Sequence, residues 1–143
     1  MAAIKEKFWL DGEKAALVVI DVQEKLAPAM DVDLYAQLLE HAKLLIEGFR
    51  ALDLPVIATE QYSKGLGHTV TELDNAAARQ RIEKMTFSCC GEDSFIAALE
   101  ATHAKQVVIV ALCLFVKIER ETLTTSHEMK IGEHIRYLSR KPF

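Results

Sequence analysis

Asp21 closes an apolar run, Ala15-Ala16-Leu17-Val18-Val19-Ile20. A carboxylate at the end of a buried strand loses hydration, so it needs a partner or a task. Capping the following segment is one reading; general-base work is the other. Lys84 poses the same question at the end of Arg81-Ile82-Glu83-Lys84. It can snorkel to water. Beside Asp21 it can instead orient the carboxylate and hold a thiolate ionised. A cysteine is the third component such a pair would serve: Asp21 as base, Lys84 as charge partner, a thiolate as nucleophile for acyl transfer. Cys89 and Cys90 follow Phe87-Ser88 and read as space-filling thiols at the entrance to a helix. Cys113 falls just past the fourth expected strand, on the same edge as Asp21, though its neighbours Leu112, Leu114 and Phe115 argue for burial.

Other constellations carry less. The five histidines are scattered, and none forms a close HxxxH pair, so no metal is expected. Lys64-Gly65-Leu66-Gly67 lacks the glycine spacing and the Lys-Ser/Thr pair of a phosphate loop. No cofactor is called for.

The elements that must position these residues follow from the hydrophobic pattern. Ala15–Ile20 has no polar alternation, which suits a parallel strand covered on both faces. Tyr35 to Leu52 reads as a helix with Asp33 as N-cap, because Leu38, Leu39, Ala42, Leu45, Ile46 and Phe49 recur at helical spacing. Val56–Thr59 is a second strand, Lys64–Gly67 a loop, Thr71–Arg81 weakly helical and Arg81–Lys84 a short third strand. Asp93–Thr102 is a helix with Phe95, Ile96 and Leu99 on one face, and Gln106–Val110 a fourth strand. Met129–Leu138 reads as a final helix. Strands alternating with helices predict an α/β fold, a parallel sheet flanked by helices on both faces, with ligands at the carboxyl ends of its strands. Asp21, Glu60-Gln61-Tyr62 and Lys84 all lie at such ends.

Half of the 143 residues are apolar, 27% are charged and the net charge is -4. This is the composition of one globular domain over 1–143. No basic patch marks a nucleic-acid partner. The apolar runs Ala15–Ile20 and Val107–Val116 are too short for a membrane span. Few cysteines and no apolar leader at the N-terminus predict a cytoplasmic protein.

Three segments together resemble the isochorismatase-like hydrolases, most closely the small isochorismatase-domain proteins. Val18-Val19-Ile20-Asp21-Val22-Gln23 is similar to that family's first strand and catalytic Asp. Thr59-Glu60-Gln61-Tyr62-Ser63-Lys64-Gly65-Leu66-Gly67-His68-Thr69-Val70 resembles its second-strand loop, and Glu83-Lys84-Met85-Thr86-Phe87-Ser88-Cys89 the segment with its catalytic Lys. The match runs over roughly residues 14 to 110. It implies a three-layer α/β/α fold and hydrolysis of a small amide- or ester-like substrate by an Asp–Lys–Cys triad. Gln23, Glu60, Gln61 and Tyr62 would face the substrate, and the protein would be a homo-oligomer. The resemblance then breaks. Lys117 occupies the nucleophile's slot, and Cys113 sits four positions early. Two expectations follow: a hydrolase using Asp21, Lys84 and Cys113, or a catalytically silent member that binds a ligand or a partner.

Overall fold

The computed structural model describes residues 10–73 and 80–112. Cys113, Lys117 and the helix expected over Met129–Leu138 lie outside them. Within the described residues four strands form one parallel sheet: β1 (Ala15–Ile20), β2 (Val56–Gln61), β3 (Arg81–Lys84) and β4 (Gln106–Ala111), in the order β3-β2-β1-β4. The helices among the described residues that connect them include α1 (Val32–Ala51), the single turn α2 (Ser63–Leu66) and α3 (Asp93–Ala101), and residues 71–73 are helical as well.

The unbroken apolar character of β1 is explained by what covers it. Ala15, Leu17 and Val19 project to one face, where they meet Ala42, Ile46 and Phe49 of α1 together with Ala58. Ala16 and Val18 project to the other and meet Phe95, Ile96, Ala98 and Leu99 of α3 with Ile57 and Ile82. A strand whose period-two sets both enter a core can carry no polar residue until it ends. The expected α/β/α layering is therefore present, and the helical faces read from sequence are the buried ones.

Boundaries differ in instructive ways. α1 begins three residues before Tyr35, and its cap is Asp31 rather than Asp33: the Asp31 carboxylate accepts from the backbone N–H groups of Asp33 and Leu34. Capping donors decide a helix start, and the apolar period alone does not report them. β2 runs two residues past Thr59 because Glu60 and Gln61 pair with Glu83 and Lys84 of β3. The segment 64–67, expected as a loop, contributes to the helical turn α2, and Gly67 leaves it at φ 78°, a left-handed conformation suited to glycine.

The strand order sets the place for chemistry. From β1 the chain steps to β2 and β3 on one side, then returns to put β4 on β1's other side, in register from Ala15↔Gln106 to Ile20↔Ala111. The order thus reverses between β1 and β4, and crevices form outside the carboxyl ends at such a point. Asp21 stands there.

The core assignment makes a direct prediction. Ile46→Ala should lower unfolding free energy by about 2–5 kcal/mol. Leu44→Ala, two residues away on the exposed side of the same helix, should change it by less than about 0.5 kcal/mol. Urea titrations of both variants check this.

Candidate active site

Asp21 follows β1 directly, at φ 50°, a left-handed conformation that non-glycine residues seldom adopt. The kink is held by its own N–H, which donates to the Thr59 carbonyl at 3.1 Å. Its two carboxylate oxygens are held by different strands. Oδ1 accepts from the Thr59 hydroxyl at 2.7 Å, and Oδ2 meets Lys84 Nζ at 2.6 Å. Lys84 comes from β3, two strands away, a lateral separation of about 9–10 Å. Only a long side chain spans that gap. It does so under cover: the Lys84 side chain is 0% exposed and that of Asp21 16%.

Lys84 makes three further donations, to Gln61 Oε1 at 3.3 Å and to the carbonyls of Thr86 and Phe87 at 3.2 and 3.1 Å. The buried ammonium is thus neutralised by one carboxylate and surrounded by acceptors, which is what makes its burial tolerable. It also ties the 85–88 loop to the sheet. Glu92 assists from the far side of that loop. Its carboxylate accepts from the N–H groups of Met85 and Thr86, which hold it below the usual carboxylate range.

The loop brings Cys89 to the same face. Its thiol is 9% exposed and lies 3.9 Å from Thr59 Oγ1. Burial pushes the Cys89 thiol up, against the pull of the Lys84 charge and the Thr59 contact. A raised thiol holds little thiolate near neutral pH, in keeping with a spectator. Cys90 is half-buried. Cys113, the expected nucleophile, lies outside the described residues, two positions past Ala111, which pairs with Ile20 beside Asp21.

The four residues expected to face substrate separate into two pairs. Gln23 is fully buried and spent on the backbone: its Nε2 donates to the carbonyls of Gln61 and Gly67, and its Oε1 accepts from the Gln61 N–H. Glu60 is also buried, accepting from the N–H and hydroxyl of Thr69 at 2.7 Å each and contacting His68 Nδ1 at 3.0 Å and Arg81 at 3.6 Å. These two side chains clamp the 67–69 segment and build the wall of the site. Gln61 and Tyr62 stand nearer to solvent. Tyr62 is half exposed and left-handed at φ 40°, with its ring over Gly65, where an added Cβ would collide with it. Thr59 escaped the sequence reading. The one signal was a lone polar side chain at the end of Val56-Ile57-Ala58-Thr59, a position that invites a partner once buried.

Burial would push Glu60 up. The Thr69 N–H, His68, the Thr69 hydroxyl and Arg81 outweigh it and hold the carboxyl below its ordinary value. His68 is raised in return, chiefly by its bond to Glu60, with Glu24 adding to the effect and Arg81 opposing it.

A cavity of about 350 Å³ lies at the opposite edge of the sheet, lined by Arg50, Asp53, Pro55, Val56, Gln80 and Thr102 among others. It faces the amino ends of the strands, away from the Asp21–Lys84 pair. Among the described residues no three His, Cys, Asp or Glu side chains converge to hold a metal, and no helix is long and apolar enough to cross a membrane.

A parallel sheet between helices, with a buried acid–lysine pair at its carboxyl edge, defines a three-layer α/β/α protein. Comparison with known proteins gives the family. The model of the isochorismatase domain matches residues 15–118, and the chain belongs to the isochorismatase family. It is 34% identical over 103 residues to isochorismatase domain-containing protein 1 of Salmo salar, covering 72% of this chain and 36% of that protein. Isochorismatase domain-containing protein 2 of Danio rerio is 35% identical over 101 residues, covering 71% and 49%. Among solved structures, the MAR1 ribonuclease of Caenorhabditis elegans superposes with a TM-score of 0.63 at 34% identity, over 71% of this chain and 52% of that one. YcaC of Pseudomonas aeruginosa gives 0.62 at 25% identity, over 72% and 52%. The chain thus spans about half or less of the length of these relatives.

Two outcomes are expected. Lys84→Met leaves Asp21 without its cation and should cost about 3–5 kcal/mol. The loss combined with Asp21→Asn should fall short of the sum, because the two residues are in contact. Denaturant melts of the single and double variants check it. The His68–Glu60 contact predicts a pH dependence. A histidine raised in the folded state stabilises fully below its ordinary value of 6.5 and loses that contribution as pH climbs through the raised value. The melting temperature of His68→Gln should therefore fall below that of the parent at pH 5.5 and converge with it at pH 9.

Proposed function

We propose that this protein is a hydrolase acting on a small amide- or ester-like substrate, with Asp21 as general base, Lys84 as its charge partner and Cys113 as nucleophile. The observation that carries the reading is the 2.6 Å contact between Lys84 Nζ and Asp21 Oδ2 at the carboxyl edge, beside the point where β4 leaves the sheet. Asp21 takes the thiol proton, and the thiolate attacks the substrate carbonyl carbon. Collapse of the tetrahedral adduct expels the amine or alcohol, which takes that proton from Asp21. A water deprotonated by Asp21 then attacks the thioester, releasing the acid and restoring the thiol. Lys84 holds the Asp21 carboxyl group in place through both halves. Gln61 and Tyr62 are the residues proposed to touch substrate, with Gln23 and Glu60 supporting them from behind.

A second reading is favoured by one observation: Lys117 stands where the family's nucleophile is expected, with Cys113 four positions earlier. In that case the edge binds a small molecule without turning it over. A homo-oligomer is part of either reading. Among the described residues β4 is one of the two edge strands and Ile109 on it is exposed, apolar surface of the kind a second copy would cover. The ribonuclease description of MAR1 raises RNA as a substrate class, which the net charge of -4 does not favour.

The deciding experiment screens amides, esters and a short RNA with the intact protein, followed by mass spectrometry after brief alkylation. Turnover of an amide or ester should fall by about 10²–10⁴-fold in Asp21→Asn, and Cys113 should be the thiol whose alkylation stops it. Binding without turnover would establish the silent reading. RNA cleavage, or full activity in Asp21→Asn, would end the proposed mechanism.

A further inference from the structure

We propose that Thr59 is a positioning residue for Asp21, the second support of a carboxylate that Lys84 alone would leave free to turn. The inference rests on the hydrolase reading for its catalytic meaning and on geometry alone for its structural one. Thr59 is 1% exposed, so its hydroxyl has to find partners within the protein. It grips Asp21 twice, through its carbonyl to the Asp21 N–H at 3.1 Å and through Oγ1 to Asp21 Oδ1 at 2.7 Å.

The polarity of this contact is fixed. An ionised carboxylate only accepts, so the Thr59 hydroxyl gives its proton to Asp21. Its other neighbour is Cys89 Sγ at 3.9 Å, a contact in which either atom can be the donor. Lys84 pulls on Oδ2 from β3 while Thr59 holds Oδ1 from β2. Two donors on different oxygens fix the plane of the carboxylate as well as its position, which one ion pair cannot do. Gln61, two residues on and on the same face of β2, holds Lys84 through its Oε1. β2 therefore supports both members of the pair. Threonine suits the place because β-branching restricts χ1 and keeps the hydroxyl aimed.

The test uses Thr59→Val, which preserves shape and removes the donor, and Thr59→Ser, which restores it. Thr59→Val should lower kcat by roughly ten- to a hundredfold, the effect of a misplaced catalytic group, with KM within about twofold of the parent. Thr59→Ser should recover most of the loss. Thermal melts give a reading independent of turnover. The melting-temperature change on Thr59→Val in the parent should differ clearly from that in an Asp21→Ala background, where the partner is already gone. A Thr59→Val protein with parental kcat, a Thr59→Ser protein as impaired as the valine variant, or equal melting shifts in both backgrounds overturns the assignment. If the parent hydrolyses nothing, the hydrolase reading fails by itself and the melting comparison alone decides whether Thr59 holds Asp21.

Discussion

An ammonium group withdrawn from water needs a carboxylate and a full set of acceptors, and the carboxyl edge of this sheet is arranged to give Lys84 both. The pair it makes with Asp21 crosses β2, so three strands must be in register before it can form. β1 has to end at Ile20 for Asp21 to reach the edge, β3 has to pair so that Lys84 lies opposite Gln61, and β2 has to run between them. The two loops that leave β2 and β3 are tied to the same centre. Lys84 holds the Thr86 and Phe87 carbonyls, while its own carbonyl accepts from Tyr62 N–H at 2.9 Å. A buried pair of this kind is weak evidence for stability, since desolvation offsets much of the attraction. What the pair does fix is geometry: it holds the Asp21 carboxyl group at the carboxyl edge of the sheet.

The supporting cast divides by face. Thr59, Gln61 and Cys89 surround the pair on the α3 side, whereas Glu60, pointing the other way from β2, clamps Thr69 and His68. Alternation along one strand thus separates residues that touch the Asp21–Lys84 pair from those that hold the 68–69 segment. Two non-glycine residues with left-handed backbone, Asp21 and Tyr62, mark the exits of β1 and β2. The other two, Asp53 and His103, follow the ends of α1 and α3, where such a conformation is ordinary. Unusual backbone at a strand end, held by specific hydrogen bonds, is the form in which active sites keep strain.

The apolar run Ala15–Ile20, the helical period of Leu38 to Phe49 and the spacing of Phe95, Ile96 and Leu99 determined by themselves that strands alternate with helices and that β1 is covered twice. Their periods report burial directly, and burial is what a sequence encodes most plainly. The identity of Asp21 and Lys84 as candidates was legible for the same reason, since each is a charge abutting an apolar segment. Tertiary structure decided the rest. That Lys84 reaches over β2, that Thr59 is the second hand on Asp21, that Gln23 is spent on backbone groups and that Glu60 is taken up by Thr69, His68 and Arg81 are all consequences of the fold. The Thr59–Asp21 and Gln23–Gln61 contacts each join residues 38 positions apart, and no local pattern carries them. Two side chains one residue apart, such as Glu60 and Gln61, look alike in the sequence. The pleat of β2 sends one to the wall and the other to the charged pair.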